Sequence, residues 1–361
     1  MKVVVIGAGV AGLSIGWRLQ QAGAEVTVLE RAQAGRGATW ASAGMLAATA
    51  EIESGDTPNA RLARHSAALW PAFAREIEDV CGASIGYRRD GTLIVACDAE
   101  AAAALRRRAA AGALQFLSST QARTLEPLLA DSIAGALFDD SEAQVDNRAL
   151  GPALAVALQR AGGKLDINEA VVRVEIENGR AVGARTPFKI HRADAFVLAA
   201  GAWSGSLKDL PPAAVPPVVP VKGEMVALAP DAASPMPTHM IWGQEIYLVP
   251  RGARLLIGAT MTREGFDTRT TKAAADWLLN RANSLMPALA SWRLVEHWAG
   301  LRPGSPDDLP LIGPSVLDGL FVASGQFRNG ILFSPAIAEM MREIVLDRAQ
   351  PDPAFDPRRF C

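Results

Sequence analysis

Cysteine is scarce in this chain and forms no pattern. Cys81, Cys97 and Cys361 give no C-x-x-C pair and no even framework. A disulfide scaffold and a structural zinc site are therefore not expected, and a reducing, cytoplasmic setting is. The four histidines, His65, His191, His239 and His297, are scattered without metal-ligand spacing, so no metal is expected. The formal net charge is -2 and no basic run occurs, which leaves nucleic acid without an electrostatic footprint. No apolar run reaches the roughly 18 residues that a membrane-spanning helix needs. Half of the 361 residues are hydrophobic, enough for a large core spread over about two or three domains.

The first positions carry the densest signal. Met1-Lys2 followed by an apolar run could pass for a secretion signal, but the glycines inside it argue otherwise. "KVVVIGAGVAGLSIGWRLQQAGAEVTVLE" reads as strand, tight turn, helix and second strand. Gly7, Gly9 and Gly12 form G-x-G-x-x-G. The first permits the turn, the second lets backbone approach a pyrophosphate, and the third lets helix pack on strand. The helix N-terminus offers unpaired N–H groups to phosphate. Glu30 closes the second strand, where an acid accepts ribose hydroxyls. No second glycine fingerprint follows downstream, so the residues admit either a nicotinamide enzyme or an FAD enzyme reduced by its own substrate. The small, Gly/Ala-rich stretch 31–48, without helix or strand periodicity, favours FAD, because it lets backbone crowd against a flat ring.

Further along, residues 58–80 predict a helix bent or broken at Pro71. Residues 91–98 predict a strand, followed by an alanine-rich helix whose arginines form a solvated face. Residues 147–163 predict a helix ended by Gly162-Gly163, and "EAVVRVEIENGRAVGART" a hairpin with an Asn-Gly turn. Residues 195–205 read as a buried strand running into a glycine turn. A β-rich region follows the proline-rich "LPPAAVPPVVP", including a hairpin over 246–260 with its turn at Arg251-Gly252. A helix follows from Lys272, and "GLFVASG" feeds a last helix running to Asp347. Apolar strands ending in glycine thus recur at the start, middle and end of the chain. The expected fold class is α/β (α+β overall): a Rossmann-like FAD-binding domain from residues 1–84, 143–216 and 301–361, with an inserted, mainly antiparallel substrate domain from 85–142 and 217–300.

With "ASAGMLAA", "VKGE", "YLVPR", "GATM", "WAGLRPG" and "GQFRNGILFSPA" in their order and spacing, the chain resembles the glycine oxidases of the D-amino-acid oxidase superfamily. The resemblance spans nearly the whole sequence. It implies non-covalent FAD and oxidation of a small amino acid to its imine, with molecular oxygen reduced to hydrogen peroxide. It also implies a tie to thiamine biosynthesis with thiazole synthase as partner, and a homo-oligomer, tetramer or dimer. By motif it places Arg302 on the substrate carboxylate, Tyr247 as a second donor to that group, and Arg328 beside flavin and substrate. Met261 and Ala47 become pocket walls. The cofactor surround it implies comprises Arg31, Thr39, Ser42, Ala43, Gly44 and Met45. Val171 meets the adenine, Gly201, Trp203 and Gly300 join the surround, and Gly325, Asn329, Gly330, Ile331 and Leu332 encircle the pyrimidine end of the ring. A helix starting at Asn329-Gly330 would aim its positive end at the reduced ring.

The physical case for the arginine is independent of that resemblance. A guanidinium is a planar fork that matches a carboxylate, and with a tyrosine hydroxyl it would fix Cα for hydride loss. The competing expectation is a structural ion pair from Arg302 to Asp307 or Asp308. Gln326 stands where the family commonly has histidine, and Trp40 where a small hydroxyl residue is usual, so Trp40 narrows access to the ring. Both depart from the pattern and leave glycine, sarcosine and small D-amino acids open as substrates. An FAD dehydrogenase passing electrons to a quinone or protein, and a non-catalytic flavoprotein, stay open as well.

Overall fold

The computed structural model describes all residues except 52–54, 111–113, 208, 216 and 231–234. Lys2–Ile6, buried beyond its first residue, sits near the middle of a six-stranded sheet. Its parallel neighbours are Glu25–Glu30 on one side and Ala195–Leu198 on the other. Lys164–Ile167 and Leu320–Ser324 extend the parallel sheet outward, and Leu311–Pro314 adds an antiparallel edge. These strands come from the start, middle and end of the chain. Continuous apolar runs suit them because both faces are covered. One face packs on the helices Val10–Gln21, Asn147–Arg160, Pro58–Cys81 and Ser334–Leu346, burying Trp17, Trp70 and Phe73 among them. The other face meets the three-stranded sheet of Arg173–Glu177, Arg180–Arg185 and Ile190–Arg192.

A second sheet has eight strands, with Arg293–Gly304 at one edge, beside Val219–Ala229, then Arg254–Gly258 and Tyr247–Arg251. Met240–Trp242, Thr92–Ala96, Gly135–Asp139 and Gln115–Ser118 complete it. All pairs are antiparallel except Met240–Trp242 with Thr92–Ala96. The period-two alternation of a strand sorts its side chains. Val226, Leu228, Leu248 and Ile257 enter a core with the helix Lys272–Leu285. Met225, Ala227, Val249 and Trp298 enter a different one, shared with Ala41, Ala43, Met45 and Ala47. That second face is turned toward the segment following the nucleotide strands. The strand Arg293–Gly304 runs on within this sheet past residue 300, where the sequence suggested a change of domain.

Several local expectations need correction. Pro58–Cys81 is one continuous helix with Pro71 inside it, so the helix is not broken there. Pro71 is exposed, so the carbonyl it leaves without a donor can turn to water instead of ending the helix. Within the stretch 31–48, Ala38–Ala41 forms a short helix and Met45–Leu46 a short strand paired with Ala143–Gln144. The last regular helix begins at Ser334, not at Asn329-Gly330. Pro335 lacks the N–H that would bond the Ile331 carbonyl, which instead accepts from the N–H and hydroxyl of Ser334. Residues 327–333 are therefore a run of turns.

Candidate active site

A cavity of about 690 Å³ opens between the two sheets, within the roughly 300–1,000 Å³ expected of a ligand site. Its walls begin with the glycine turn. A Cβ at Gly7 would stand 2.5 Å from the Ala199 carbonyl oxygen, and Gly7 has φ +106°. At Gly12 a Cβ would overlap the Gly7 carbonyl, so this glycine serves helix-on-strand packing and does not line the cavity. Both oxygens of Glu30 are engaged: Oε2 accepts from the Ala8 N–H at 2.9 Å and Oε1 from the Ala32 N–H at 3.1 Å. Each retains a lone pair for a further donor. Thr39 Oγ1 accepts from the Val10 N–H at 2.9 Å, ordering the helix start, since Gly9 supplies no side-chain cap. Arg31 lies over the Trp203 ring at 3.7 Å, and Trp203 stacks on Phe266 with centroids 5.6 Å apart.

The segment 38–45 is pinned from behind. Asn147 Nδ2 donates to the carbonyls of Thr39 and Trp40, and Arg251 donates to the Ala43 carbonyl and to Asn147 Oδ1. Burial lowers the Arg251 pKa to about 10, with Asp146 opposing. Gly44, at φ +73°, has no room for a Cβ against the Val145 carbonyl, and Gly300 none against Ala41. Trp298 donates its Nε1–H to the Ala41 carbonyl at 2.9 Å. Trp40 is held by Trp298 edge-on at 6.3 Å and by the Arg148 guanidinium at 3.9 Å. The strand thus comes within close contact of the segment.

Alternation along the same strand puts Arg302 on the side of Trp298 and Gly300. Opposite Gly300 in the antiparallel register stands Gly223, whose Cβ would overlap the Arg302 guanidinium. The missing side chain is what lets the guanidinium lie flat on the sheet. Its Nη1 donates to the Thr260 carbonyl at 3.2 Å and to the Lys222 carbonyl at 3.5 Å. Among the described residues no carboxylate pairs with it: Asp307 is taken by Arg359 at 2.9 Å. The structural ion pair weighed for Arg302 is therefore absent from the described residues. Tyr247 stands beside the guanidinium, in space that a Cβ on Gly258 would enter at 2.6 Å. Among the described residues its hydroxyl contacts Met225 Sδ, at 3.8 Å. Burial raises the Tyr247 pKa, with the charge of Arg302 pulling it back. Arg328 completes the wall and pairs with Glu51 at 2.5 Å. Burial raises the Glu51 pKa too, against the opposing charges of Arg328 and then Arg302.

Over residues 2–344 the sequence matches the family described as FAD dependent oxidoreductase. The chain belongs to that family. It is 35% identical over 365 residues to the glycine oxidase of Pseudomonas aeruginosa, covering 100% of this chain and 98% of the relative. It is 34% identical over 351 residues to the bifunctional protein ThiO/ThiG of Nostoc sp., covering 96% of this chain but 53% of that one. The chain thus spans about half the length of the bifunctional relatives it matches. The crystal structure of glycine oxidase from Geobacillus kaustophilus superposes with a TM-score of 0.90 at 34% identity, covering 99% of this chain and 97% of that one.

The residues present fit FAD, the cofactor of the family. One observation is the glycine cradle just described. Another is Gln326, 5% exposed on the cavity wall, whose Nε2 has no partner among the described residues; a buried donor of this kind calls for an acceptor from a ligand. Gly9, Glu30, Arg31, Thr39, Ser42, Ala43, Gly44, Met45, Val171, Gly201, Trp203, Gly300, Gly330 and Ile331 all line the cavity, as do Tyr247, Arg302 and Arg328. Besides Gly12, five expected neighbours do not. Ala47 is packed into the adjoining core, and Leu332 into the core beneath the first sheet. The Leu332 carbonyl accepts from Ser66 and Trp70. Gly325 backs onto Leu311, Asn329 lies in the turns before Ser334, and Met261 faces a neighbouring cavity.

Sequence reasoning missed Glu51, Asn147, Arg251 and Glu142. Glu142 is 2% exposed and holds the segment leading to Glu51: its Oε1 accepts from the N–H groups of Thr49 at 2.6 Å and Ala50 at 2.8 Å. Arg108, assigned to a solvated face, donates to the Thr49 carbonyl. An acid closing an alanine-rich run was the one signal available for Glu51. No helix among the described residues is long and apolar enough to cross a membrane, and no metal-binding cluster occurs among them.

Proposed function

We propose that this chain oxidises a small amino acid at its Cα–N bond, with glycine, sarcosine and small D-amino acids as the substrate class and oxygen reduced to hydrogen peroxide. The observation that carries the reading is the Arg302 guanidinium, set beside the Tyr247 hydroxyl on the cavity wall without a carboxylate partner among the described residues. A partly buried cation there favours an anion of matching shape, and a carboxylate takes two of its N–H donors. Tyr247 donates to the same carboxylate and fixes its rotation.

FAD, when bound, supplies the two-electron acceptor. The chain's part is to bind, orient and exclude water. Arg302 and Tyr247 fix one end of the substrate, so that the Cα–H bond takes a set direction and the step becomes effectively unimolecular. With the amine neutral, its lone pair assists hydride loss, and no side-chain base is needed. The product is an imine, which water converts to the oxo acid and ammonia, or methylamine where the substrate is sarcosine. The thiamine-pathway role remains part of this reading, supported by the relative named ThiO/ThiG.

The test is to mix the FAD-loaded protein anaerobically with the substrate panel, then admit air. Loss of the oxidised flavin band, followed by its return with stoichiometric peroxide, is expected. Reduction without rapid return in air would point to a dehydrogenase. No reduction by any amino acid would remove the proposal.

A further inference from the structure

On the other side of Tyr247, Arg302 and Arg328 lies a second cavity, of about 560 Å³, which shares those three residues with the cofactor cavity. Its apolar walls are Trp242, Ile246, Trp277 and Met261. Trp242 lies against Tyr247 with ring centroids 5.5 Å apart. Met261 is 59% exposed, a large apolar side chain presented to the opening rather than to a core. A substrate anchored by its carboxylate at Arg302 would direct its reacting carbon toward the first cavity and its remaining substituent into this one. Glycine has no such substituent and would leave two indole rings facing water.

The charges narrow the choice. The charged residues lining this cavity are Glu245, Arg302 and Arg328. Glu245 is paired with Arg281 at 2.6 Å and Arg328 with Glu51 at 2.5 Å. What remains is the positive charge of Arg302, matched by one substrate carboxylate. A basic side chain would meet no uncompensated acid here.

We propose that the preferred substrate is an amino acid carrying a neutral, apolar group of up to ring size on its nitrogen or α-carbon, seated against Trp242 and Trp277. This inference rests on the oxidase reading above. Shape selection by an apolar pocket gives about 10–200-fold per methylene.

The FAD-loaded enzyme is therefore to be compared anaerobically with glycine, sarcosine, N-benzylglycine, D-phenylalanine and D-arginine. N-benzylglycine or D-phenylalanine should reduce the flavin with kcat/KM at least about tenfold above glycine, and D-arginine should fall below glycine. Trp277→Ala, and separately the exposed Met261→Ala, should lower the ratio of bulky-substrate to glycine efficiency; that ratio is insensitive to the fraction of folded enzyme. Glycine outrunning both bulky compounds, or a ratio unmoved in both variants, would overturn the inference and leave the oxidase reading standing. Flavin that dithionite reduces but no amino acid does would overturn both.

Discussion

Replacing Arg302 by alanine is the perturbation whose outcome follows most directly from the geometry. The guanidinium is held by the carbonyls of Thr260 and Lys222 and has no carboxylate partner among the described residues. Its removal therefore breaks no ion pair seen in the structure and relieves the cost of a partly buried lone cation. Stability and flavin content should hold. Substrate, by contrast, loses two charge-assisted hydrogen bonds, each of about 1.5–3 kcal/mol. Together these are about 3–6 kcal/mol, or roughly two to four orders of magnitude in kcat/KM, most of it in KM if the bonds are made equally in ground and transition states. Arg302→Lys keeps the charge but not the fork, and should recover only part of the loss. The assay is steady-state oxygen uptake, read beside the flavin absorbance ratio and a thermal melt. An efficiency within threefold of the parent would refute the reasoning, as would an Arg302→Ala protein that loses flavin or melts early.

Three more outcomes are expected. Gly223→Ala should raise KM without loss of flavin, because the new methyl would overlap the Arg302 guanidinium and push this flexible end aside; steady-state kinetics read it. Burial pushes the Glu142 pKa from 4.5 to about 7, with the Thr92 hydroxyl and the N–H groups of Ala50 and Thr49 opposing and Asp139 adding to the rise. A raised carboxyl binds more protons folded than unfolded, so it lowers stability as pH climbs from about 4.5 to 7, by about 3 kcal/mol in full; urea melts of Glu142→Gln should show a flatter profile across that window. Lys222, 1% exposed, is paired with Glu224 at 3.2 Å and Glu264 at 2.9 Å. Lys222→Met should cost at most about 3–5 kcal/mol, because buried Glu224 loses its lysine partner but keeps His297 at 2.9 Å and the Thr271 N–H at 2.8 Å; adding Glu224→Gln should restore part of the urea midpoint.

Much of the cofactor end was legible because its residues act locally. The glycines of the first turn and the acid closing the second strand work through backbone geometry within 30 residues, and that geometry leaves a spacing in the sequence. Arg302 and Tyr247 were legible through motif, while strand alternation shows why they share a wall with the cofactor segment. What escaped notice acts at long range. Asn147 and Arg251 hold the segment 38–45 across about a hundred and two hundred positions, and Glu142 reaches back to Thr49 and Ala50 across more than ninety. No periodicity records such contacts. Pro71 does not break its helix, because its face is exposed, and the last helix starts later than the apolar pattern suggests, with Pro335 in its first turn.

The central claim is that Arg302 and Tyr247 clasp a carboxylate against the FAD site. A crystal structure of the flavin-loaded protein with a non-reacting small carboxylate, such as glycolate, tests it most directly. Both carboxylate oxygens should lie within hydrogen-bond distance of the Arg302 guanidinium, with one also reached by the Tyr247 hydroxyl. A carboxylate bound elsewhere, or an Arg302 turned away from the ring, would contradict the account.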